Sequence, residues 1–136
     1  MVNNTTPGQW FRRILWIGII ADLATSLATL AAPAAMIALA GLPTPGTDVW
    51  PRFAALSAVL LSVFAIPAAL DMDRYRASAW LAVAWRLAAA VFFMFEPRYR
   101  PVMYFDGFFF VALAIPLLLA VRGERIASPP PGVAAV

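Results

Sequence analysis

The stretch FRRILWIGIIADLATSLATLAA, residues 11–32, is long and apolar enough to cross a bilayer as a helix. Arg12 and Arg13 stand near its start, and from Ile14 it runs predominantly apolar to its end with Asp22 as the one ionisable interruption. A helix needs about 20 predominantly apolar residues to cross a bilayer core. Three more stretches satisfy this: residues 52–70, 77–95 and 103–121. In hydrocarbon every backbone N–H and C=O must be bonded within its own segment, so the four stretches are read as helices. A β-barrel needs alternating apolar and polar positions, and these runs are continuous. A soluble four-helix bundle needs a polar face on each helix, and none of the four has one. A cleavable signal peptide is the rival reading of the first span, with small residues at Ala31, Ala32, Ala34 and Ala35. Its apolar run exceeds the usual h-region, and Asp22 sits in its middle, so an uncleaved span is expected.

The whole-chain composition agrees. Hydrophobic residues make up 63% of the 136 residues and charged ones 12%, against about 25% charge in a soluble domain. Mean hydropathy is +0.83. The net charge of +3 comes with no basic run to follow a phosphate backbone, so no nucleic-acid partner is expected. The absence of Cys and His removes disulfides, Cys- or His-ligated metals and clusters, and every Cys or His nucleophile or base. No phosphate loop or metal-ligand spacing appears, and no cofactor or catalytic residue is expected.

The predicted architecture is all-α: an antiparallel four-helix bundle integral to the membrane. Residues 1–10 read as a mobile cytoplasmic tail, 11–125 as the transmembrane domain, and 126–136 as a disordered Pro-rich tail. All basic residues are Arg. With the N-terminus inside, Arg12, Arg13, Arg74, Arg76, Arg122 and Arg125 face the cytoplasm, and Arg52, Arg98 and Arg100 face outward. Positive loops stay inside, so both termini are expected there. The Arg-only, Ala-rich usage suggests a GC-rich bacterial genome, and the expected location is a bacterial inner membrane. Between spans one and two, Pro33 suits a helix first turn and Gly41 a C-terminal cap, which predicts a short interfacial helix. The tight loop at 71–76 makes spans two and three antiparallel neighbours, with Asp73 as the expected cap of the third helix. Ala65-Ile66-Pro67 and Ala114-Ile115-Pro116 repeat in spans two and four, where each proline is expected to bend its helix.

Two ionisable residues lie at mid-span, Asp22 in span one and Arg86 in span three. Each costs about 2.5–3.5 kcal/mol at a helix centre. Spans one and three run in the same direction, so the two residues share a depth, and an Arg fork on a carboxylate is a strong pairing. An interior ion pair is expected. Thr25, Ser26 and Thr29 follow Asp22 at helical spacing and extend a polar stripe. The alanines around Arg86 (Ala79, Ala82, Ala89, Ala90) suggest that span three presses on span one. Ser57 and Ser62 are further hydrogen-bond candidates. The cluster reads either as a lock on helix register or as a polar pocket for a lipophile or a proton-linked step. Asp106 begins span four, followed by Phe108, Phe109 and Phe110. It reads as an N-terminal helix cap, or, with the three phenylalanines, as an outer-face ligand site. Phe92, Phe93 and Phe95 read as lipid-facing.

The four spans, the short helix from Pro33 to Gly41-Leu42-Pro43, the Trp50-Pro51-Arg52-Phe53 opening of span two and the mid-span Arg86 resemble small four-span bacterial membrane proteins of the DoxX-like type. The resemblance covers residues 11–121 and implies association with oxidoreductase or respiratory assemblies. The expected function is a non-catalytic accessory or assembly component of an inner-membrane complex, whose partners are the lipid bilayer and other subunits. The alternative is a binding or transport module for a lipophilic small molecule, lipid or quinone-like, that uses Asp22 and Arg86. A His-free isomerase with Asp22 or Asp106 as general acid–base ranks third.

Overall fold

The computed structural model describes residues 6–127. They form five α-helices: α1 (Pro7–Ala31), α2 (Pro33–Leu39), α3 (Val49–Leu70), α4 (Arg76–Met94) and α5 (Arg100–Ala127). A 3₁₀ turn, Pro97–Tyr99, precedes α5. Four helical segments are long and apolar enough to cross a membrane: Pro7–Ala31, Val49–Leu70, Arg76–Met94 and Pro97–Gly123. The chain is a multi-pass membrane protein with an all-α four-helix bundle.

The helices begin earlier than their apolar runs. Helix α1 starts at Pro7, so residues 7–10 are helical rather than a mobile tail. Proline at the first helical position gives up an N–H that has no intrahelical partner there. Helix α3 likewise starts at Val49 and takes Pro51 into its first turn. The expected tails fall mostly outside the described residues, and α5 continues to Ala127.

Between the first two spans the chain makes the short helix α2. Gly41 follows it with φ +64°, a left-handed conformation that glycine adopts without a Cβ clash. The Leu42 N–H donates to the Ile37 carbonyl at 3.0 Å and the Gly41 N–H to Ala38 at 3.1 Å. This pair of bonds is a Schellman termination. Asp73 does not cap α4, whose N-cap position is Tyr75 without a side-chain bond. Asp71 serves the turn instead, its carboxylate accepting the Arg74 N–H at 3.1 Å. An aspartate two residues nearer the previous helix reaches the turn's free N–H, which Asp73, already inside the turn, does not.

Around the bundle, α1 packs along α3 and α5, and α4 packs along α5 and α3. Helices α1 and α4 therefore stand at opposite corners, which corrects the expectation that span three presses its alanine face on span one. Consecutive antiparallel neighbours force this arrangement, because the first and third helices of such a ring lie on a diagonal. The alanines of α4 meet other helices: Ala90 lies opposite Gly107 of α5, and Ala79 joins the shared core.

That core occupies one half of the bundle, the half next to the Asp71–Tyr75 turn. Phe11, Leu15 and Ile19 of α1 meet Ala65, Ala68 and Ala69 of α3, Val83 of α4, and Leu113 and Leu117 of α5. Lipid is as apolar as these side chains, so the gain is close packing, and small residues permit it. Ala68 and Ala69 are fully buried for this reason. Arg12 ties α1 to the end of α3, donating from Nε to the Ala69 carbonyl at 2.9 Å. Pro67 and Pro116 both lie inside continuous helices.

Candidate functional site

Above the apolar core, at mid-span, sits an ionic cluster in which Arg86 and Asp106 are buried and Asp22 is partly buried. Arg86 of α4 is 7% exposed although it sits in a lipid-spanning helix. Its Nη1 donates to Asp106 Oδ1 of α5 at 2.6 Å. Its Nη2 donates to Asp22 Oδ2 of α1. One guanidinium thus holds two carboxylates from two other helices. The Arg side chain is long enough to cross the diagonal of the bundle and reach Asp22, while Asp106 lies on the adjacent helix. The planar fork presents donors in fixed directions, which suits a bridge between two acceptors. One cation facing two carboxylates leaves the cluster with a formal charge of −1.

Aromatic rings close the cluster on its α5 side. The Arg86 guanidinium carbon lies 5.0 Å from the Phe109 ring centroid and 5.4 Å from that of Phe105. Rings at this range attract a cation through their negative faces. Phe109 is seated against Gly18 of α1, where a Cβ would lie 3.2 Å from the Phe109 ring and 3.6 Å from Arg86 Nη2. Glycine at position 18 is therefore what lets the ring and the guanidinium approach α1.

The remaining candidate residues separate. Thr25 and Thr29 do not join the cluster. The Thr25 hydroxyl donates to the Ala21 carbonyl at 2.8 Å and the Thr29 hydroxyl to Thr25 at 2.8 Å, both within α1. A threonine in a helix satisfies itself this way whichever side it faces, and Thr25 is exposed. Ser26 is buried on the same helix. Thr25→Val should accordingly change the unfolding free energy by less than about 0.5 kcal/mol, read from denaturation in mixed micelles. Ser57 donates to the Phe53 carbonyl of its own helix at 2.9 Å.

Asp106 is not a helix cap. It sits six residues into α5, is 6% exposed and belongs to the ionic cluster. The three phenylalanines do not form one aromatic site either: Phe108 is 68% exposed, Phe109 is buried under Arg86, and Phe110 packs on the apolar core. Successive helical residues point about 100° apart, so three in a row diverge. Phe92 and Phe95 face outward.

Beside the cluster is a small cavity of about 30 Å³, lined by Asp22, Ser62, Ser78 and Arg86 among apolar neighbours, with the Ser78 hydroxyl already donating to the Phe64 carbonyl. Ser62 is 4% exposed and its hydroxyl has no hydrogen-bond partner. A wider open hollow of about 510 Å³ lies at the Asp71–Tyr75 end, bordered by Gln9, Arg12 and Asp73 and by none of the ionic cluster. Among the described residues no group of three metal-ligating side chains gathers. No family model, curated protein or solved structure matches this chain.

Proposed function

We propose that the chain is a non-catalytic accessory or assembly component of a larger complex in the bacterial inner membrane, with both termini in the cytoplasm. The observation that carries this reading is the ion-paired polar core. Arg86 is engaged by Asp106 and Asp22 at once, and the space beside it is only about 30 Å³. An intramembrane charge committed to neighbours on two other helices acts as a lock on helix arrangement. The excess of arginine in the loops on one side supports the orientation. The resemblance to DoxX-like proteins supports the same assignment.

The test is purification of the tagged chain from its own membrane in mild detergent, followed by mass spectrometry of everything retained. Stoichiometric partner subunits are expected. A chain that elutes alone, from membranes of cells expressing it at native level, would overturn the accessory role.

A further inference from the structure

We propose that the crevice between α3 and α4 is a binding site for a lipophilic molecule with a neutral hydroxyl head. This goes beyond the accessory role and does not depend on it. Three observations carry it. The cavity beside the ionic cluster holds a buried hydroxyl, Ser62, with no partner. A buried polar group without a hydrogen bond is rare in a folded protein and calls for an occupant to supply one. The cavity of about 30 Å³ has room for about two atoms the size of a water oxygen, so it takes a head and not a whole ligand. Its outer wall is Phe64, Leu81 and Trp85, which are 64, 50 and 42% exposed to the lipid side. An apolar body therefore leaves the cavity between α3 and α4.

The charges select the class of head. A cationic head would meet the guanidinium of Arg86, which lines the same cavity. An anionic head would add to a cluster that already carries one carboxylate more than it has cations. A neutral head avoids both penalties at mid-membrane depth. Arg86 engages Asp22 through Oδ2, so Oδ1 is left as an acceptor, and Ser62 both donates and accepts. A hydroxyl matches this set: it donates to Asp22 and accepts from Ser62. A carbonyl head would satisfy Ser62 alone.

Trp85 at the crevice wall reports occupancy. The probe is dodecanol brominated at its sixth and seventh carbons, in bilayers of unbrominated lipid, against the equally brominated dodecane. The parent protein for the measurement combines Trp10→Phe, Trp16→Phe, Trp50→Phe and Trp80→Phe, which leaves Trp85 as the sole tryptophan. The alcohol is expected to quench Trp85 at a mole fraction about tenfold below that of the hydrocarbon, the scale of one intramembrane hydrogen bond. Ser62→Ala, which removes an unpartnered hydroxyl and keeps the packing, should bring the two curves together. Thr25→Val, which removes a hydroxyl outside the cavity, should leave them apart. Coincident curves in the parent protein would mean that the cavity holds ordered water only, and would overturn the site. A tenfold difference that survives Ser62→Ala would also overturn it, since the preference would then belong to the bilayer.

Discussion

Arg86→Gln should be the most damaging single substitution in the membrane core, costing about 3–5 kcal/mol of unfolding free energy. The change removes the one cation and leaves Asp22 and Asp106 facing each other's side of the bundle without compensation. The balance of charges makes the rest of the series specific. Asp22→Asn or Asp106→Asn alone leaves one carboxylate on one guanidinium, and the amide oxygen still accepts a bond. Each should cost about 1–2 kcal/mol, the difference between a charged and a neutral hydrogen bond. The double change Asp22→Asn with Asp106→Asn strands the guanidinium and should return to about 3–5 kcal/mol. The non-additivity is the signature. Steric-trapping or denaturant unfolding of all four variants in the same lipid would show it. Single aspartate variants as damaging as Arg86→Gln would contradict the shared-cation arrangement.

Gly18→Leu should be the second large effect, about 1–3 kcal/mol. Even a Cβ at this position would lie 3.2 Å from the Phe109 ring, and a leucine extends further into it. The ring cannot retreat freely, because it lies on Arg86. Phe109→Ala opens space in the same place, so the double variant should recover part of the loss, although Phe109→Ala is itself destabilising through the cavity it leaves. Thermal unfolding followed by circular dichroism in one detergent would order the three. Equal losses in the single and double Gly18 variants would show that Gly18 and Phe109 do not meet.

The spans are legible in the sequence because continuous apolar runs leave helices as the available structure in lipid. The short helix α2 is legible because Pro33 and Gly41 mark its two ends chemically. Asp22 and Arg86 point to each other because each is an isolated charge at the same depth in helices of the same direction. Asp106 misleads because a carboxylate near the start of an apolar run has an ordinary explanation as a cap. The apolar run, however, starts later than the helix. Arg86 and Asp106 stand ten residues before and ten after Glu96, beside the turn, and that symmetry gives them equal depth in a hairpin. Phe109 and Leu113, three and seven residues on, continue the inward face from Asp106 and are buried. The threonine stripe misleads for a different reason. Polarity along one helix face says nothing of contact with another helix when each hydroxyl can bond to its own backbone. Gly18 carries no pattern at all. Its role comes from Phe109, on a helix about ninety residues away in sequence, and no local spacing records such a pairing.

The most direct test of the shared-cation core is a nitrogen–carbon dipolar recoupling measurement by solid-state NMR. The protein, in bilayers, carries ¹⁵N-labelled arginine side chains and ¹³C-labelled aspartate carboxyls. Two short nitrogen–carbon distances, within about 4 Å as for an ion pair, are expected to vanish together in Arg86→Gln. Asp22→Asn should abolish one of them and Asp106→Asn the other. An Arg86→Gln spectrum that loses neither signal, or loses only the one that Asp22→Asn removes, would contradict the three-helix cluster.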